Sequence, residues 1–217
     1  MEVMARSDRE PIRPRVSMNP PSLSTRHAPS ATRELLDPPG GLLMWMVFAL
    51  EIFAFAMMFV GIAYLRHTQP ALFHAGQAAL DARMGLALTL ALVTSGWLTA
   101  EGVHAFRASR FERSRRFYGG AALTGLVFVG LKIAEYSSKS RAGYGLGVND
   151  FWDLYFLATG FHFIHVLVGL GLIAFVGARV GRTTFDDPET SVGGTALFWH
   201  MCDLAWFFLF PLFFARP

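Results

Sequence analysis

Five long apolar segments follow one another along the chain after residue 40. Each contains about 20 residues or more, which at ~1.5 Å per residue is enough to cross a hydrocarbon core of ~30 Å. Short polar stretches separate the segments, which cover approximately 41–65, 83–106, 117–136, 151–180 and 194–214. The pattern predicts an all-α protein, an integral membrane bundle of five transmembrane helices.

Residues 1–40 have a different character. They contain seven of the eleven prolines and six arginines, with almost no apolar run. Such a composition cannot bury enough apolar surface to fold, which is typical of disorder. We therefore predict two regions, a disordered cytoplasmic tail over 1–40 and a five-helix membrane domain over 41–217.

The basic residues predict the orientation of the helices. The tail has six, residues 107–116 have five, and Arg179 and Arg182 follow the fourth segment, whereas the flanks on the other side hold five. Cytoplasmic flanks carry the excess of Lys and Arg in membrane proteins. We expect the amino terminus in the cytoplasm and the carboxyl terminus outside.

The composition agrees with a membrane protein and excludes several other classes. Hydrophobic residues make up 53% and charged residues only 16%, against roughly 25% charged residues in a soluble domain. No basic stripe interleaves with aromatic residues on a polar face, so nucleic-acid binding has no support. The single cysteine, Cys202, excludes an intrachain disulfide framework, a zinc ribbon and a cysteine-ligated cluster.

Three ionisable residues lie at similar depth in the first and fourth segments. Glu51 is about 15 Å into the first, and His162 enters the fourth to a similar depth from the opposite side. His165, three residues further on, shares the face of His162. We predict that Glu51 contacts these histidines, either as an ion pair or as a protonated carboxyl donating to a neutral imidazole.

Two further pairs are spaced three residues apart, Lys132 with Glu135 and His200 with Asp203. We interpret Lys132 as a lysine that extends toward the headgroups with a carboxylate partner. His200 and Asp203 lie near the cytoplasmic interface, where we expect Trp199 and Trp206 as anchors.

The histidines raise the question of a metal or haem. A haem needs an axial histidine, often with a second one on a facing helix, and the depths of His162 and His165 do not match those of His200 or His104. Helical di-iron sites use Glu-x-x-His motifs on two helices together with further glutamates, whereas the sequence has this spacing once, at Glu101 and His104. Two alternatives stay open, a small membrane cytochrome that binds haem through His162 or His165, and a metal-dependent membrane oxidoreductase.

Four motifs resemble subunit III of the haem–copper oxidases, in that family's order. They are "FALEIFAFAMMF" at 48–59, which carries Glu51, "LKIAEY" at 131–136, "ATGFHFIHVLVG" at 158–169 and "FWHMCDLAWFFLFPLFF" at 198–214. Larger members have seven helices, so this chain resembles a short five-helix form. The stretch "VNDFW" at 148–152 is similar to subunit-III-like proteins associated with nitric oxide reductases.

The resemblance implies an accessory subunit of a bacterial inner-membrane complex, a cytochrome c oxidase, quinol oxidase or nitric oxide reductase, without an active site of its own. It implies that haem and copper belong to partner subunits, that the chain packs beside catalytic subunit I, and that it binds phospholipid in a cleft between helices. On this interpretation the complex uses the chain for stability, sustained electron transport and proton uptake. The polar residues of that cleft are Glu51, Lys132, Glu135, His162, His165, His200, Asp203 and Trp206.

Overall fold

The computed structural model describes residues 41–182, 185 and 187–215. These residues form six helices, and no strand occurs among them. We number the helices α1 to α6: Gly41–Thr68, Pro70–Ala79, Ala82–Arg107, Phe111–Arg141, Asp150–Arg179 and Pro188–Phe214. The predicted disordered tail at 1–40 lies outside the described residues.

Five of the helices, all except α2, are long and apolar enough to cross a membrane. The all-α, five-span prediction is therefore confirmed for the described part of the chain. Two predicted segments were too short: α4 begins at Phe111 instead of 117, and α6 begins at Pro188 instead of 194. An apolar run marks only the part of a helix that lies in lipid, whereas the helical backbone continues into the polar flanks.

Local sequence signals explain where the helices begin. Asp81 caps α3 by accepting from the Arg83 N–H at 2.9 Å, and Asn149 caps α5 by accepting from the Trp152 N–H at 3.1 Å. The short helix α2 escaped the sequence analysis because it has only 10 residues. Its proline at the first helical position is a start signal that favours a helix there.

Helices α3, α4, α5 and α6 form a four-helix ring in which each helix packs against two neighbours, and α1 lies outside the ring against α5 and α6. The interior is strongly aromatic. Its largest fully buried side chains include Trp152, Trp199, Trp206, Tyr118 and Tyr155. On α1 many outward side chains are large and apolar, as expected for a helix whose free face contacts lipid or another subunit.

Candidate functional site

A charged pair lies fully inside the bundle. Lys132 is 0% exposed and its Nζ donates to Glu135 Oε2 at 2.7 Å. The same ammonium donates to the Tyr155 hydroxyl of α5 at 3.1 Å. Our prediction that Lys132 extends toward the headgroups was wrong, because the aromatic interior of the bundle covers it from every side and Glu135 compensates its charge there.

Aromatic rings complete the surroundings of this ammonium. Nζ lies 4.7 Å from the ring centroid of Tyr136, 5.0 Å from that of Tyr155 and 5.3 Å from that of Trp206. Ring faces attract a cation most strongly where water is excluded. The pair therefore connects α4 with α5 and α6, although Glu135 Oε1 has no hydrogen-bond partner among the described residues.

Glu51 and His165 meet between α1 and α5. Glu51 Oε2 lies 2.9 Å from His165 Nε2, although the approach lacks the alignment of a hydrogen bond. His165 Nδ1 lies 2.8 Å from the Phe161 carbonyl and donates its hydrogen there. A neutral His165 thus faces Glu51 with a lone pair, so an attractive contact requires one proton on either the imidazole or the carboxyl.

His162 has a different partner from the one we expected. Its ring is 0% exposed, and Nε2 donates to the Cys202 carbonyl of α6 at 3.0 Å instead of approaching Glu51. The rings of Phe55, Phe128 and Trp206 surround it, with centroids 5.2 to 6.4 Å away. The structure therefore brings Glu51 together with His165 and places His162 in a separate contact between α5 and α6.

The two tryptophans of α6 lie in the interior. Trp199 is 0% and Trp206 is 1% exposed, so our expectation that they anchor the helix at the membrane interface was wrong. Trp206 donates from Nε1 to Thr89 Oγ1 of α3 at 2.9 Å. This buried indole has a hydrogen-bond partner, as an amphipathic ring needs inside a bundle.

His200 and Asp203 lie at the outer edge of the contact between α6 and α3. His200 Nδ1 is 3.3 Å from Asp203 Oδ2, and the two side chains are 45% and 13% exposed. Asp203 packs against Gly96 so closely that a Cβ there would lie 2.0 Å from Oδ2. Only glycine on α3 leaves room for this carboxylate.

Sequence reasoning missed a polar contact that joins α2 to the end of α6. Gln77 is 2% exposed and donates from Nε2 to the carbonyls of Leu212 and Ala215 at 3.0 and 3.2 Å. These carbonyls lie at the end of α6, where backbone acceptors have no partner within the helix. Lys139 of α4 adds a bond to the Ala79 carbonyl at the end of α2. The only sequence signal was a glutamine within an otherwise apolar segment.

Neither a metal nor a haem at His162 or His165 fits the arrangement of donor groups in the described part of the chain. Within 41–182, 185 and 187–215, no three side chains of His, Cys, Asp or Glu lie close enough together to hold a metal ion. A haem ligand at His162 would need space beside the ring, yet both nitrogens are buried and Nε2 already faces a carbonyl. His165 is enclosed by Glu51 and the rings of Phe161 and Phe198.

A surface groove of about 470 Å³ runs between α1 and the first turns of α5. Its lining is largely apolar, with Tyr64, Leu154 and Leu157, and its polar end has Gln69 donating to Asp150 at 2.8 Å. The groove is therefore apolar along most of its length and has hydrogen-bonding groups at one end. This arrangement matches the two chemical halves of a lipid.

Comparisons with known proteins agree on one family. The family described as cytochrome c oxidase subunit III matches residues 42–215. A cytochrome c oxidase subunit 3 from Thermostichus vulcanus is 33% identical over 126 residues, which cover 57% of this chain and 61% of that protein.

Two further relatives match over longer stretches. A probable cytochrome c oxidase subunit 3 from Mycobacterium bovis is 28% identical over 175 residues, covering 79% of this chain and 84% of that protein. A probable quinol oxidase subunit 3 from Staphylococcus haemolyticus is 25% identical, covering 76% and 83% respectively. The matched stretch of the chain includes every described helix except the first residue of α1.

Proposed function

Because the chain belongs to the cytochrome c oxidase subunit III family, we propose that it is a non-catalytic membrane subunit of a respiratory haem–copper oxidase. The observation that carries this proposal is the family match over residues 42–215. Redox chemistry then takes place in partner subunits, and subunit I is the partner that we propose for this chain. Cytochrome c or quinol is the electron donor suggested by the names of the relatives.

The role that we propose for the buried polar groups is to hold the helices in one arrangement. Lys132 joins α4 to α5, His162 joins α5 to α6, and Trp206 joins α6 to α3. In lipid, apolar packing alone distinguishes poorly between helix arrangements, so hydrogen bonds between helices add specificity. A complex that turns over for long periods needs such a fixed scaffold beside its catalytic subunit.

Glu51 is the residue that we propose for a functional role at membrane depth. It shares a single contact with His165, and both side chains are partly accessible, at 21% and 13% exposure. An accessible ionisable group inside a membrane span is a functional candidate by default. We propose that this contact between two ionisable groups supports proton uptake by the complex.

Lipid binding in the groove between α1 and α5 is part of the same proposal. The groove has an apolar floor and a polar end at Gln69 and Asp150. We place the protein in a bacterial inner membrane, since the relatives come from bacteria. We place its amino terminus in the cytoplasm, because the flanks on that side carry the excess of basic residues. A phospholipid in the groove then has its headgroup at the outer surface.

The test is purification of the tagged chain from its own membranes in mild detergent. We expect haem and copper to co-purify with it in fixed proportion and the preparation to consume oxygen. Nitric oxide consumption without oxygen consumption identifies the alternative, a nitric oxide reductase complex. The chain purified alone gives a flat reduced-minus-oxidised spectrum, and about one haem per isolated chain contradicts the proposal.

The variant Glu51→Gln separates the role of Glu51 from assembly. We expect unchanged haem content in the complex and a shorter turnover lifetime, because the amide cannot exchange a proton with His165. Glu112→Gln is the matched control, since Glu112 is 79% exposed near the start of α4. Loss of all haem in Glu51→Gln contradicts the proposed role.

A further inference from the structure

One polar side chain faces outward within an apolar stretch of α6. His200 is 45% exposed and lies about 9 Å beyond position 194, where the fifth apolar segment begins, at ~1.5 Å per residue. Asp203 lies about one turn deeper. Ionisable residues within a membrane span usually face a protein interior or a polar partner. An outward-facing histidine at this depth therefore indicates that another group covers this surface.

In the hydrogen bond between His200 and Asp203, the imidazole is the donor and the carboxylate is the acceptor. Nδ1–H of His200 donates toward Asp203 Oδ2 at 3.3 Å, and Gly96 holds the carboxylate in place on the other side. A carboxylate that binds one nitrogen fixes the tautomer of an imidazole and orients its ring. Nε2 is then left with a lone pair, and no partner for it occurs in the described parts of the chain. This nitrogen can accept a hydrogen bond from a group outside the bundle.

The surface around His200 is apolar and continuous. Helix α6 lies between α1 and α3, both of which contact it. Helices α3 and α6 touch where Asp203 packs against Gly96. The helical register places the outward side chains of both helices on the same side of this contact. The large apolar residues of this face are all 40% to 59% exposed: Leu90, Val93, Trp97, Leu204 and Phe207.

We infer that this face, with His200 at its centre, is where a transmembrane helix of the haem-bearing partner docks. The inference rests on the proposed function. The partner helix presents an N–H or O–H donor to His200 Nε2 and apolar side chains to the surrounding residues. A hydrocarbon chain has no donor, so lipid tails leave Nε2 unsatisfied whereas a polar side chain of a neighbouring helix does not.

The test uses the assembled complex in native membranes. A photo-crosslinking amino acid replaces Phe207 in one variant and Leu126 in another, since Leu126 is 55% exposed on the outer face of α4. We expect the Phe207 variant to crosslink to the haem-bearing polypeptide and the Leu126 variant not to do so. Crosslinking of that polypeptide from Leu126 alone, or of lipid alone from Phe207, overturns the inference.

A second measurement addresses the hydrogen bond. We expect His200→Leu to raise the apparent dissociation constant of the chain for its haem-bearing partner by about threefold to twentyfold, the range for one interhelical hydrogen bond in a membrane, and so to lower the haem that co-purifies per chain when the complex is diluted. His200→Gln keeps a carbonyl acceptor and restores part of the loss. Unchanged haem in His200→Leu overturns the role of the histidine. If the wild-type chain carries no haem-bearing partner, the proposed function itself has failed, and this outcome is distinct from the others.

Discussion

Removing the charge of Lys132 is the most direct test of the buried pair. In Lys132→Met the flexible apolar side chain fills similar space among the aromatic rings, but the Glu135 carboxyl loses the hydrogen bond from the ammonium. Breaking a buried pair by removing one partner costs about 3–5 kcal/mol. If the carboxyl takes up a proton, the lost bonds to the ammonium still cost about 2–3 kcal/mol. We expect a loss of unfolding free energy of about 2–5 kcal/mol.

The double variant Lys132→Met/Glu135→Leu should recover most of that loss. Replacing both members of a buried pair with apolar residues is often neutral, so we expect it to lie within about 1 kcal/mol of wild type. The resulting coupling free energy then exceeds about 1 kcal/mol, as for side chains in direct contact. Denaturation by sodium dodecyl sulfate in mixed micelles, followed by far-ultraviolet circular dichroism, measures these values.

The same helix provides a matched control. Glu112 and Arg115 have the same three-residue spacing and a contact of 3.1 Å, but they are 79% and 27% exposed. Exposed pairs contribute about 0–1 kcal/mol, so Arg115→Met should change stability by no more than that. A loss in Lys132→Met no larger than in Arg115→Met, or a double variant that loses more than Lys132→Met alone, refutes the reasoning.

Three further changes test separate contacts by the same denaturation assay. Gly96→Ala places a Cβ 2.0 Å from Asp203 Oδ2 and should lower the unfolding free energy by about 1–3 kcal/mol. Its control, Gly130→Ala, meets no atom within 4 Å and should be neutral or stabilising. Equal effects of the two substitutions contradict the close approach of Asp203 to Gly96. Gln77→Leu removes two hydrogen bonds to the end of α6 and should cost about 1–3 kcal/mol, with faster hydrogen exchange in α2; unchanged exchange argues against the contact. Tyr136→Phe removes the bond between its hydroxyl and Thr159 at 2.8 Å and should cost about 1 kcal/mol, and a stabilised variant counts against that bond.

The sequence predicts the approach of Glu51 to His165 because depth along a helix follows from residue counting alone. The same counting says nothing about what surrounds Lys132. It failed to show that rings from α5 and α6 close over the ammonium, since this depends on how the helices are packed together. For Trp206, the statistical preference for the interface lost to the hydrogen bond that Thr89 offers inside the bundle.

Other contacts have partners that the sequence does not identify. His162 donates to a backbone carbonyl, and every residue has such a carbonyl, so nothing in the side-chain pattern identifies Cys202 as the partner. Gln77 similarly binds backbone groups of α6. Contacts between two side chains of matching chemistry can be proposed from sequence, whereas contacts to backbone require the three-dimensional arrangement.

The bond between Gln77 and α6 has a consequence for biosynthesis. Its acceptor, the Leu212 carbonyl, lies 135 residues further along the chain. A ribosome that adds 5–20 residues per second needs about 7 to 27 seconds to synthesise this stretch. Throughout that interval α2 must wait with its amide unpaired and with Phe73, buried in the finished protein, lacking part of its cover. A chain that stalls before α6 therefore lacks both the bonds from Gln77 to the end of that helix and the contact of Phe73 with Phe213.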